Sequence, residues 1–92
     1  MEIIYKVPNG KLIKMFLEIN DHQISNIKIT GDFFIYPEEK IVWIEKFLIG
    51  QFLGKKNILE EKLQKFIEDA KMDLFGINAK SIIEVVYMGI IT

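Results

Sequence analysis

A chain of 92 residues, half of them apolar and carrying a formal charge of −1, has the length of one domain and too much apolar surface to stay disordered. Its twelve basic and thirteen acidic side chains are spread along the length, so no basic run tracks phosphates and nucleic-acid binding is not expected. The absence of cysteine excludes a disulfide framework, a thiolate nucleophile, a Cys-ligated zinc and a Cys-held iron–sulfur cluster.

The apolar runs are broken every few residues by Lys, Glu, Asn or Gly, and none reaches the roughly 18 residues of a membrane span. The start, Met1-Glu2-Ile3-Ile4-Tyr5-Lys6, has an acid at its second position and no small-residue cleavage site, unlike a secretory signal. A cytoplasmic protein without a membrane partner is expected.

Residues 2–7 have the β-branched and aromatic content of a short strand, stopped by Pro8-Asn9-Gly10. From Lys11 to Ile19 the odd positions Ile13, Met15, Leu17 and Ile19 make one apolar face, and the even positions are mixed. That alternation describes a half-buried strand. Asn20-Asp21-His22 reads as a hairpin turn, since Asn and Asp tolerate left-handed φ. The next strand covers about Gln23 to Thr30, with Ile27 and Ile29 in phase and Ile24 out of phase, which predicts a bulge. These strands form an antiparallel meander.

Gly31 breaks the pattern and Phe33 to Tyr36 resume an extended run. Pro37 suits the first position of a helix, and Glu38 and Glu39 its first turn, where carboxylates oppose the positive end of the dipole. Ile41, Ile44, Phe47 and Leu48 then share one face, Trp43 lies at its margin, and Val42 and Ile49 point elsewhere. The helix is thus apolar over more than half its circumference. Gly50 ends it, and Gly54-Lys55-Lys56 is a loop. Asn57 is placed to cap the next helix, with Glu60 completing a capping box. Leu59, Leu63, Phe66, Ile67 and Ala70 form its stripe, and Glu61–Lys65 is a favourable i,i+4 pair. After the turn Gly76-Ile77-Asn78, residues Ala79 to Ile90 read as a last helix capped by Asn78, with Ala79, Ile82, Ile83, Val86 and Ile90 facing inward. Its β-branched density leaves a strand as the alternative. The expected fold is α+β: a three-stranded antiparallel sheet, a short fourth strand left open, then two to three helices packed on one face. Residues 1–92 make one domain, with the β-meander over about 2–36 and the helical part over about 37–91.

Little here supports catalysis. His22, the one histidine, lies in a turn and lacks the orienting partner of a base or the co-ligands of a metal. Ser25 and Ser81 lie in no Gly-x-Ser-x-Gly context. Glu38-Glu39 and Glu60-Glu61 are explained as first-turn residues of helices. Gly50-Gln51-Phe52-Leu53-Gly54-Lys55-Lys56 lacks the Gly-Lys-Ser/Thr ending of a phosphate loop and follows a helix instead of a strand.

Gly31-Asp32-Phe33-Phe34 is left unexplained. Both aromatics could pack in the core while Asp32 satisfies backbone donors at the corner. Yet consecutive strand residues point to opposite faces, so one Phe is expected outside. Together with Trp43, Val42 and Ile49 that surplus apolar surface points to a partner. The residues alone leave both readings open.

The chain resembles the small C-terminal accessory domain of lipoate–protein ligases, of the archaeal kind in which that domain is a separate polypeptide. The features that carry the resemblance are Gly10-Lys11-Leu12-Ile13-Lys14, Ile27-Lys28-Ile29-Thr30-Gly31-Asp32-Phe33-Phe34, Pro37-Glu38-Glu39, Leu48-Ile49-Gly50 and Phe75-Gly76-Ile77. The Gly-Asp-Phe-Phe block is the most specific of them. The resemblance implies a non-catalytic partner of a large ligase subunit, forming a heterodimer and acting indirectly on lipoyl-acceptor domains. Lipoate, ATP and Mg are expected in that large subunit, where lipoyl-AMP forms, and no cofactor is expected on this chain. A separate chain without an attached catalytic domain is what the split arrangement predicts. The expected partner interface is Lys11, Gly31, Asp32, Phe33, Phe34 and Trp43. The alternative is a free-standing protein-interaction or scaffold module of similar fold without metal.

Overall fold

The computed structural model of the protein describes residues 1–91. Strands β1 (Glu2–Lys6), β2 (Leu12–Asn20) and β3 (Gln23–Gly31) form the antiparallel meander, with β2 in the middle. The alternation along β2 is as expected: Ile13, Met15 and Leu17 are fully buried, while Leu12, Lys14, Phe16 and Glu18 face outward. A two-residue turn joins β2 to β3, with Asp21 at φ 52° and His22 at φ 62° between the paired Asn20 and Gln23. Two consecutive left-handed residues give the turn whose twist matches that of the flanking strands. The expected bulge is present. Glu18 pairs with Asn26 and Ile19 with Ile24, which leaves Ser25 as the extra residue. The shift returns Ile24 to the inner face beside Ile27 and Ile29.

The outer edge of β3 is covered over much of its length. The segment 50–53 runs beside its start: Gly50 N–H donates to Ile24 O at 2.7 Å, Ile24 N–H to Gln51 O at 3.1 Å, and Leu53 N–H to His22 O at 2.7 Å. Further along, the buried carboxylate of Glu45 accepts the Ile29 N–H at 2.7 Å. A side chain from the neighbouring helix therefore satisfies a strand-edge donor that would otherwise be buried without a partner.

The short fourth strand exists, but it does not extend the meander. Strand β4 (Phe34–Tyr36) pairs antiparallel with β5 (Asp73–Phe75) in a separate two-stranded sheet. Pro37 is not the first residue of a helix. It follows a cis peptide bond, is extended at ψ 141°, and precedes a 3-10 turn at Glu38–Lys40 that leads into α1 (Ile41–Leu48). In α1, Ile44 and Leu48 are buried and Ile41 and Phe47 partly so, while Val42, Trp43 and Ile49 remain exposed.

Helix α2 (Lys56–Asp69) begins one residue before the expected cap. Lys55 occupies the cap position without a side-chain bond, and Asn57 lies within the first turn. The ion pair of Lys56 with Glu84 at 2.5 Å draws the start of the helix onto its neighbour. Leu59, Leu63 and Ile67 face the core as expected. Among the described residues Glu61 and Lys65 form no ion pair; Gln64 donates to Glu68 at 3.0 Å instead.

Residues Ala79–Ile91 are helical (α3), and the strand alternative does not occur. Asn78 caps it reciprocally with Ser81: the Ser81 N–H donates to Asn78 Oδ1 and the Asn78 N–H to Ser81 Oγ, both at 2.8 Å. This is a capping box with Ser in the place of Glu. Ile82, Ile83, Val85 and Val86 are all fully buried, because α3 packs between the sheet and α2. That two-sided burial accounts for β-branched residues in a helix, where stiff side chains fill a crowded layer. Ile90, expected inside, is 44% exposed near the end of the helix.

The two Asn residues make a test of the caps. Asn78→Ala is expected to cost about 1 kcal/mol by loss of the cap, and Asn57→Ala to stay within about 0.5 kcal/mol, both measured by urea denaturation.

Candidate functional site

Three segments meet where β2 begins and β3 ends. Asp32 binds the start of β2 twice: its Oδ1 accepts the Leu12 N–H at 2.7 Å, and its own N–H donates to Leu12 O at 3.3 Å. The carboxylate thus serves its own backbone, one of the two roles left open by the sequence. A side chain at Gly31 would run into the Leu12 carbonyl oxygen, so this crossing requires glycine. On the other side, Lys11 N–H donates to Gly76 O at 2.9 Å, and the Lys11 stem lies over Gly76, which has φ +86°. The β1–β2 loop, the 31–34 corner and the turn before α3 are therefore one packed unit.

The adjacent aromatics split as strand geometry requires. Phe33 packs partly buried against the core with its ring against Gly31, and Phe34 is 61% exposed. Phe34 stands opposite Phe75 in the β4–β5 ladder, and Tyr36 opposite Asp73, while Ile35 between them is buried. The outer face of this ladder therefore presents Phe34, Tyr36 and Phe75 to solvent, an exposed aromatic cluster of the kind that marks interaction sites. Beside it runs a groove of about 340 Å³ whose walls include Ile29, Gly31, Phe33, Phe34, Glu38 and Ile41.

Five of the six residues expected at an interface, Lys11, Gly31, Asp32, Phe33 and Phe34, gather at this corner, and four of them in roles that shape it. Trp43 does not line the groove. It sits on α1 under the ammonium of Lys40, 4.9 Å from the ring centroid, and that ammonium donates to Ala70 O at the end of α2 at 2.7 Å. Residues that sequence reasoning passed over are Tyr36, Glu38 and Phe75. The signal for Phe75 was the alternating Asp73-Leu74-Phe75 just before Gly76, which is long enough for a three-residue strand.

No group of three or more His, Asp and Glu residues among those described could hold a metal ion. The corner offers apolar surface and backbone hydrogen-bonding groups, so its arrangement suits binding a polypeptide and contains no nucleophile–base pair. Among the described residues no helix is long and apolar enough to cross a membrane.

The chain matches no protein-family profile. Over 53 residues, 58% of its length, it is 39% identical to lipoate-protein ligase A subunit 2 of Thermoplasma acidophilum, a match that spans 55% of that relative. Its fold superposes with a TM-score of 0.65 on a chain from the solved structure of an archaeal lipoylation system, a bipartite lipoate protein ligase and its E2 lipoyl domain, also from Thermoplasma acidophilum. That superposition covers 92% of this chain and 96% of the other, at 26% identity. The resemblance to a separate small subunit of lipoate–protein ligase thus holds in sequence and in three dimensions.

Because Phe34 and Phe75 face solvent, Phe34→Ala and Phe75→Ala should each change stability by no more than about 1 kcal/mol. Ile44→Ala in the core should cost about 2–5 kcal/mol. Thermal or urea unfolding of the three variants checks the contrast.

Proposed function

We propose that this chain is the non-catalytic accessory subunit of a two-part lipoate–protein ligase, docking on the large catalytic subunit through the corner at Gly31–Phe34. The observation that carries the reading is the end-to-end structural likeness to a chain from the structure of the bipartite ligase and its E2 lipoyl domain; the 39% identity to a protein named as a ligase subunit, from the same organism, supports it. In this reading the large subunit binds lipoate, ATP and Mg, forms lipoyl-AMP and passes the lipoyl group to a lysine of an acceptor domain.

The contribution of this chain is positional. Phe34, Tyr36 and Phe75 lose water on docking, which supplies binding energy from a compact aromatic patch. Lys11, Gly31, Asp32 and Phe33 hold the patch at a fixed angle to the sheet, so little ordering is required of this partner when the two meet. Trp43, Val42 and Ile49 add a second apolar area along α1. A rigid surface placed beside the large subunit's active site orders a loop there, excludes water from the acyl-adenylate and keeps the reactants aligned.

The test is lipoate-dependent exchange of pyrophosphate into ATP by the purified large subunit, with and without this chain. Addition of the chain is expected to raise the rate, and equal rates would end the proposal. Replacing both Phe34 and Phe75 by Ala should raise the concentration of chain needed for half-maximal stimulation by about tenfold or more, given the usual weight of aromatic anchors, with an unchanged circular dichroism spectrum.

A further inference from the structure

The open end of β3 is more specific than an apolar patch. In an antiparallel ladder alternate residues turn their backbone groups toward and away from a given neighbour. The Ile29 N–H goes outward to Glu45, and Asp32 donates inward to Leu12. With Ile13 opposite Gly31 and Met15 opposite Ile29, the Ile29 carbonyl and both backbone groups of Gly31 face away from β2. Among the described residues no bond meets those three groups. They lie along one wall of the groove, and Phe33, Phe34, Ile35 and Ile41 make it apolar.

The coverage of the edge limits what can bind. Segment 50–53 blocks the start of β3, and Glu45 occupies the outward N–H of Ile29. A visiting strand therefore finds one donor and two acceptors, enough for about three residues of ladder. Charge narrows the choice further. Glu38 is the one ionisable side chain lining the groove, and it forms no ion pair among the described residues. Glu39 follows at the neighbouring depression. Lys11 is laid over Gly76, Lys40 is bonded to Ala70, and Lys14 pairs with Glu2 across the outer sheet face. The groove is thus acidic at its mouth, and among the described residues no cation lines it. A second copy of this chain, pairing β3 to β3 about a two-fold axis, would set Glu38 and Glu45 of both copies beside the same short ladder, and like charges so placed repel.

We propose that an extended segment of the large ligase subunit adds as a short strand to the Ile29–Gly31 end of β3, with an apolar side chain in the groove and a Lys or Arg against Glu38. The inference rests on the subunit reading above and goes further by naming the backbone that is bound and the chemistry of what binds it. Strand addition of this kind takes affinity from main-chain bonds and specificity from side-chain pockets.

The experiment follows hydrogen exchange of assigned amides in the isotope-labelled chain, free and with the purified large subunit, alongside titration calorimetry of wild type and Glu38→Lys. In the complex the Gly31 amide is expected to exchange at least about tenfold more slowly. Glu38→Lys, at an exposed position, is expected to weaken binding several-fold, with the difference shrinking in high salt. A complex in which Gly31 exchanges as in the free chain would overturn strand addition and leave the subunit reading standing. Absence of any complex would overturn both. Protection of Gly31 that rises with the concentration of this chain alone would replace the large subunit by a second copy as the occupant.

Discussion

The paired hydrogen bonds between Leu12 and Asp32 decide where the sheet stops. They end β3 at the level where β2 begins, and so turn the chain away from the meander in time for residues 34–36 to become a strand of a different sheet. Were β3 to run straight on, Phe34 would join the three-stranded ladder and the aromatic cluster would not exist. Gly31 is part of the same constraint, because the crossing leaves no room for a side chain against Leu12. A short backbone–carboxylate contact thus controls the position of an apolar surface several residues away, which is how a small domain aims a binding site without devoting extra structure to it.

Much of this architecture was legible in the residues. The period-two face of β2, the bulge implied by Ile24, the stripe of α2 and the Asn78 cap all follow from local chemistry, and each is found. What escaped reading depended on contacts between distant parts of the chain. The β4–β5 pairing needs two three-residue strands to meet, and although residues 33–36 read as extended, nothing local pairs them with 73–75. The cap of α2 lies at Lys55, two residues before Asn57, next to a Lys56 that reaches Glu84 on another helix. Glu45 looked like an ordinary polar residue of an amphipathic helix, yet it is buried as the acceptor for a strand edge. At the corner, sequence located Gly31, Asp32, Phe33 and Phe34 and could not separate the residues that shape the site from those that face outward. Trp43 lies apart from the groove, exposed on α1 beneath the Lys40 ammonium.

Labour is divided within Gly31-Asp32-Phe33-Phe34. At the level of side chains, Gly31, Asp32 and Phe33 are spoken for by the fold, so they explain why the corner exists; Phe34 alone turns its side chain out to solvent. The aromatic residues that join it, Tyr36 and Phe75, come from the small second sheet. A motif that looks continuous in sequence is therefore three parts scaffold and one part surface. The surface itself is discontinuous, as is usual for sites that recognise folded proteins.

The β4–β5 ladder joins strands from opposite halves of the chain, one before α1 and the other after α2. Contacts so far apart in sequence carry a loop-closure cost that is recovered only when the intervening helices have packed. Phe34 and Phe75 consequently come together only in a molecule whose core is already complete, since α1 and α2 must be in place to deliver β5. A partner gripping this pair, as proposed above, would distinguish finished chains from nascent or partly unfolded ones, and the topology itself would then supply a check on folding.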